Sequence, residues 1–265
     1  MTPTLSDLET LARQAGDILR AGYIPRPGFD SQHQVEYKGA IDLVTEVDHR
    51  SEAFLVGEIR HRFPGHRIFA EESGELTGQD CCIWYVDPLD GTVNFAHGVP
   101  VFAVSLAYME GGMLRLGAVY DPMRDECFSA EREAGAWLNG QPILVSAAHL
   151  LAQSLLVTGF PYDIRTNPEN NLAHFSRLML LSQAVRRLGS AALDLAYVAA
   201  GRFDGFWELG LHPWDIAAGA LIAQEAGALV TRMNGEPFVL SPPYTILAAN
   251  PQLHPQILQA LSQGN

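Results

Sequence analysis

The chain has 265 residues, 48% of them hydrophobic and 18% charged, a composition that belongs to folded globular proteins and excludes a disordered one. Its net charge of −13 speaks against nucleic acid as a main ligand, because binding a phosphate backbone needs a basic patch. No apolar run reaches the ~18–20 residues of a membrane span, and Met1 to Asp7 show no signal-peptide pattern, so neither a membrane partner nor a leader is expected.

The predicted elements begin with a helix over Leu5 to Gly22, carrying apolar residues at helical spacing, with Ser6 and Glu9 as a capping box. A Gly/Pro-rich loop follows to Gly39, and a second helix is predicted from near Asp48 to Phe63. Ile68 to Ala70 and Ile83 to Val86 read as buried strands, each ending in acidic residues. Val101 to Glu110 and Met113 to Tyr120 flank Gly111-Gly112 as a hairpin, and Asn139-Gly140 marks another turn. Beyond Leu150, strands near Leu155–Thr158, Val185–Leu188, Phe203–Leu209, Ala228–Arg232 and Thr245–Ala249 alternate with helices near Leu172–Leu181, Ala191–Ala200 and Asp215–Ala226, before a closing helix. Such alternation implies a layered α/β architecture in one large unit or two small domains sharing a core.

Cys81, Cys82 and Cys127 are an odd set with one adjacent pair, so reduced thiols and a cytoplasmic location are expected. Lys38 is the single lysine among 17 basic residues. An acidic chain that bound a phosphate dianion would have to offset the repulsion locally, with metal ions or helix N-termini.

The segment Trp84-Tyr85-Val86-Asp87-Pro88-Leu89-Asp90-Gly91-Thr92 carries two carboxylates to a strand end. Carboxylate oxygens there suit a hard cation such as Mg²⁺, while Asp, Pro and Gly also make an ordinary polar turn. Lys38 to Asp48 adds Asp42 and Thr45, with Asp48 read as a helix N-cap. Glu71-Glu72-Ser73-Gly74 follows a strand and is either a ligand segment or an exposed acidic turn. Trp214-Asp215 opens a helix after His212-Pro213, where an Asp is commonly a cap and His212 reads as structural.

Taken in order and spacing, these segments resemble the inositol monophosphatase family. The resemblance rests on Asp42-Leu43-Val44-Thr45 with Asp48, Glu71-Glu72-Ser73, Asp87-Pro88-Leu89-Asp90-Gly91-Thr92 with Asn94-Phe95, and Trp214-Asp215. Gly189-Ser190-Ala191-Ala192 and Glu208-Leu209-Gly210-Leu211 are also similar to family segments, and Val93 departs where relatives often carry threonine. The resemblance implies a five-layered αβαβα sandwich in one catalytic domain over 1–265, with a metal-binding half over roughly 1–150 and a substrate-side half over 151–265.

It further implies two or three Mg²⁺ ions. Glu71, Asp87 and the Leu89 carbonyl would hold the first, and Asp87, Asp90 and Asp215 the second, with Glu71 near a weaker third. Thr92, hydrogen-bonded to Asp42, would position the attacking water, with Glu71 as base and no covalent intermediate. The N–H groups of Gly91 and Thr92 would cradle the phosphate. Asp90, the backbone near Ala191 and Glu208 would meet the hydroxyls of a small phosphorylated polyol, with inositol 1-phosphate the expected substrate. A homodimer and lithium inhibition are implied in the same way. Three rivals stay open: a related phosphatase for a nucleotide bisphosphate, fructose 1,6-bisphosphate or histidinol phosphate; a regulatory protein-binding role; and a metal-free glycosidase with paired carboxylates.

Overall fold

Leu8, Leu11, Ala12, Ala15 and Leu19 recur at three- and four-residue steps and are all buried, which lays α1 (Leu5–Gly22) flat on a sheet. The coordinates are a computed structural model that describes residues 2–25, 35–37 and 43–263. Lys38 and Asp42 lie outside the described residues. The cap of α1 is Thr4 with Asp7, in place of the expected Ser6 and Glu9. Glu9 instead accepts from the Ser129 hydroxyl at 2.6 Å, a tertiary contact that sequence spacing does not reveal.

After the short antiparallel pair β1 (Val35–Tyr37) and β2 (Leu43–Thr45), α2 (Glu46–Arg62) starts two residues ahead of its predicted position. An eight-stranded sheet follows. It is built from β3 (His66–Ala70), β4 (Gly74–Leu76), β5 (Gln79–Asp90), β6 (Ala103–Glu110), β7 (Met113–Asp121), β8 (Glu126–Glu131), β9 (Gly135–Leu138) and β10 (Gln141–Pro142). Their order across the sheet is β10-β9-β8-β7-β6-β5-β3-β4, and only β3 and β5 run parallel. The five-residue helix α3 (Thr92–Ala96) leaves the end of β5.

The second sheet has the order β12-β11-β13-β15-β14. It contains β11 (Leu155–Thr158), β12 (Ala184–Arg186), β13 (Gly205–Leu209), β14 (Leu229–Thr231) and β15 (Thr245–Ala249). The helices are α4 (Leu172–Leu181), α5 (Ala191–Ala199), α6 (Pro213–Glu225) and α7 (His254–Ser262).

Three hydrophobic clusters show how these pieces stack. Leu8, Leu55, Trp84, Val86 and Leu106 join α1 and α2 to one face of the large sheet. Tyr85, Phe128, Leu195, Ile216, Leu221 and Ile246 join its other face to α5, α6 and the small sheet. Leu156, Leu178, Trp207 and Ile257 join the far face of the small sheet to α4 and α7. The stack is therefore helix, sheet, helix, sheet, helix, which is the expected five-layered αβαβα sandwich. Helices α5 and α6 are buried on nearly all sides because each lies between two sheets, and their sequences are accordingly apolar all round.

Candidate active site

Residues 87 and 90 of a regular strand would point to opposite faces of the sheet, because side chains alternate. Here Asp87 pairs with Ser105 and Asp90 with Ala103, so three steps on β5 face two on β6. The extra residue is a bulge, and it turns both carboxylates to the same side. Pro88 sits inside it, where a missing N–H does no harm. The Leu89 N–H donates to Asp87 Oδ1 at 3.0 Å and fixes the local turn.

Next comes Gly91, at φ +99°, a left-handed conformation that only glycine takes without strain. A Cβ there would also lie 2.9 Å from the Val101 carbonyl oxygen and 3.3 Å from that of Gly189. Gly91 thus lets the end of β5, the β6 approach and the lead-in to α5 come together. Asn94 holds this junction, its amide donating to the carbonyls of Val101 and Leu188, each at 2.8 Å.

All these segments open on one cavity of about 350 Å³. Every described residue expected at the site lines it: Glu71, Asp87, Leu89, Asp90, Gly91, Thr92, Ala191, Glu208 and Asp215. Each of three carboxylates has one oxygen anchored. Asp87 Oδ1 is held as described; Asp90 Oδ2 accepts from the Ser190 hydroxyl at 2.6 Å and the Ala192 N–H at 2.7 Å; Asp215 Oδ2 accepts from the His212 N–H at 2.7 Å. Asp90 therefore ties the large sheet to the start of α5. His212 is the N-cap of α6, its ring stacked on Trp214, and it also lines the cavity.

The expected contact of Thr92 with Asp42 lies outside the described residues. Among the described residues the Thr92 hydroxyl meets Asp48, whose Oδ1 accepts at 3.0 Å, with the Leu89 carbonyl also 3.0 Å away. One expected role is corrected: Asp48 is not the N-cap of α2, which is Thr45, and Asp48 completes the capping box from the third helical position. The reason is the start of α2 at Glu46, which aims Asp48 inward, to full burial, instead of leaving it at the helix end.

Helix α2 also supplies two residues that sequence reasoning missed. Ser51 donates to the Pro88 carbonyl at 3.0 Å. Glu52, 3% exposed, accepts from the N–H groups of Glu72 and Ser73 at 2.7 and 2.8 Å. Asp48, Ser51 and Glu52 stand at i, i+3 and i+4, one face of a helix, and orient three different site segments. Because α2 is rich in charged residues all along its length, that spacing gave no distinct signal in the sequence.

The electrostatics follow from packing acids together. Burial, then repulsion from Glu71, Asp90 and Asp215, holds the Asp87 carboxyl well above the usual range, and Asp87 also shares a hydrogen bond with Glu71. Burial, then Asp90, does the same to Asp215. Asp90 is pushed to about 6 by burial, offset by its Ser190 and Ala192 hydrogen bonds. Glu208, on β13, is pushed to about 8 by burial and the charge of Asp90. A cation would relieve this repulsion, and an all-oxygen donor set suits a hard divalent ion. The anchoring hydrogen bonds are of the kind that orient ligands around a metal. Among the described residues, no three acidic, histidine or cysteine side chains already stand close enough to hold an ion as they are.

Comparison with known proteins gives a consistent answer. The chain matches the inositol monophosphatase family over residues 2–265. It is 46% identical over 261 residues to the inositol-1-monophosphatase of Synechocystis sp., spanning 97% of this chain and 90% of that protein. It is 43% identical over 255 residues to the Nus factor SuhB of Escherichia coli, spanning 96% and 93%. Its fold is similar to the inositol monophosphatase of Anabaena, at TM-score 0.87 and 43% identity over 98% of this chain and 96% of that one. The SuhB protein of Bartonella henselae superimposes at TM-score 0.90 with 39% identity, over 97% and 98%. The chain belongs to the inositol monophosphatase family and is a phosphatase.

Proposed function

We propose that the protein hydrolyses a small polyol phosphomonoester, with inositol 1-phosphate the first choice of substrate, in a reaction that depends on Mg²⁺. The observation that carries this reading is the single cavity onto which Glu71, Asp87, Asp90, Asp215, Thr92 and Glu208 all open. Phosphate monoesters are among the slowest esters to hydrolyse unaided, so the site must lower a large barrier.

Glu71, Asp87, Asp90, Asp215 and the Leu89 carbonyl would hold the ions. Bound Mg²⁺ supplies Lewis-acid activation of water and charge neutralisation on the phosphate and leaving oxygens. The protein's own part is positional. With its proton given to Asp48, the Thr92 hydroxyl keeps lone pairs to accept from the attacking water. Glu71 lines the same cavity and takes that water's proton as base. The backbone turn at Gly91 and Thr92 leads into α3 and offers N–H groups to the phosphate. Glu208, set apart on β13, meets the alcohol end of the substrate.

Phosphate release from inositol 1-phosphate, with and without Mg²⁺, tests this beside fructose 1,6-bisphosphate and adenosine 3′,5′-bisphosphate. Mg²⁺-dependent release that favours the inositol ester supports both the metal chemistry and the substrate. Preference for a bisphosphate overturns the substrate, and activity indifferent to EDTA overturns the metal.

A second reading has one observation in its favour. The E. coli relative is called a Nus factor, so a regulatory role through a protein partner can stand beside catalysis. Absence of any specific partner in a pull-down with the purified protein would count against it.

A further inference from the structure

Among the described residues, Asp194 is the one acid lining the cavity that neither the metal assignment nor the assigned substrate contacts use. It sits in the first turn of α5, 1% exposed, and among the described residues its Oδ1 has no hydrogen-bond partner. A buried carboxyl oxygen left unpaired is costly, and native structures rarely keep one without a use. Its neighbours make the position harder still. Glu208 and Asp90 repel it, while Arg187, at the cavity wall, attracts it. Asp194 and Glu208 thus form a buried acidic pair on the α5 and β13 side of the cavity. The β5 side carries Asp87, Leu89 and the phosphate-facing turn.

We propose that Asp194 is a further specificity-determining residue, its unpartnered Oδ1 accepting a hydroxyl of the substrate's alcohol moiety beside the hydroxyl taken by Glu208. The inference rests on the polyol reading above and extends it to a two-acid wall. An alcohol rich in hydroxyls donates to both acids. Wherever either acid is ionised it repels a phosphate group, which turns the ester's phosphate toward Gly91 and Thr92 and disfavours a second phosphate at the alcohol end.

The test compares Asp194→Leu and Asp194→Asn with the unmutated protein. It uses inositol 1-phosphate, 4-nitrophenyl phosphate (which has no free alcohol hydroxyl), and inhibition of the second reaction by free myo-inositol. In Asp194→Leu the ratio of kcat/KM for the inositol ester to that for the aryl ester is expected to fall about tenfold or more, the loss of one buried hydrogen bond to the substrate. Myo-inositol inhibition should weaken by a similar factor. Asp194→Asn, which keeps an acceptor oxygen, should retain part of both, and it reads the same ratio if the leucine variant fails to fold. Removing an unpaired buried acid should also raise the melting temperature, which a purely structural role would not predict. A wild-type preference that survives unchanged in both variants overturns the role of Asp194 alone. Wild-type protein that hydrolyses 4-nitrophenyl phosphate with no preference for the inositol ester overturns the polyol reading and this inference with it.

Discussion

Thr92 Oγ1 lies 3.0 Å from Asp48 Oδ1 across 44 residues of sequence, and the other oxygen of the same carboxylate accepts from the Thr45 N–H at 3.0 Å. One side chain thus closes the capping box of α2 and orients the hydroxyl at the end of β5. Burial raises the proton affinity of Asp48, and the hydrogen bonds from Thr45 and Thr92 oppose that rise.

Thr92→Val keeps the shape and removes the hydroxyl, so kcat is expected to fall by about a hundredfold or more, the usual size of a lost proton-positioning group. Asp48→Asn should lower kcat comparably and also destabilise the fold by ~1 kcal/mol through the weakened cap. Because the two residues act as a unit, the double variant should lose little beyond either single one. Simple multiplication of the two losses would mean that they act separately.

Asp90 faces two ways: one oxygen holds Ser190 and Ala192 at the start of α5, and the charge serves the cavity. Asp90→Asn keeps an acceptor for both anchors, so the protein should fold with a nearly unchanged melting temperature. Its Mg²⁺ requirement should rise by about a hundredfold and its turnover nearly vanish. Ser190→Ala removes one anchor only and should cost about tenfold in metal affinity. Normal turnover by Asp90→Asn would sink the ligand assignment.

Glu208 predicts a pH dependence of stability in the protein stripped of metal with EDTA. Its carboxyl binds a proton more tightly folded, at about 8, than unfolded, at the ordinary 4.5. Below 4.5 both states are protonated and nothing is lost. Between 4.5 and 8 the unfolded chain gives up its proton and the folded one keeps it, so stability falls as pH rises, then levels off above 8. Glu208→Gln should remove its share of this slope, seen as a flatter melting temperature against pH. A wild-type profile that rises across the same range would contradict the burial of an uncompensated acid.

How far the sequence revealed this site depends on where each residue sits. The carboxylates of β5 announce themselves because Asp-Pro-Leu-Asp-Gly breaks an apolar strand. Glu208 and Asp215 stand at element ends, where a polar residue in an apolar surround is conspicuous. Asp48, Ser51, Glu52 and Asp194 lie inside helices, where a polar residue ordinarily reads as the solvent face. Their burial arises only when α2 is laid on the large sheet and α5 is covered by the second one. The strand alternation and the layered class were legible for the opposite reason, since they depend on local periodicity alone. The bulge that turns Asp87 and Asp90 to one side was not legible, because it exists only in the pairing with β6.

Gly159 and Glu208 give the last prediction. A Cβ on Gly159 would lie 2.1 Å from Glu208 Oε1 and 2.4 Å from both Cδ and Oε2, so the carboxylate occupies the space where a side chain would be. Gly159 is not among the residues with positive φ, so alanine there meets no left-handed strain, and the three atoms nearest its Cβ all belong to Glu208. Gly159→Ala should push the carboxylate out of place and raise KM for inositol 1-phosphate by about tenfold, with a smaller change in kcat. In a Glu208→Ala background the obstacle is gone, and adding Gly159→Ala should then cost almost nothing. Steady-state kinetics on the four proteins of this cycle decide the matter. An equal penalty for Gly159→Ala in both backgrounds would mean that the glycine serves the backbone and not the acid it faces.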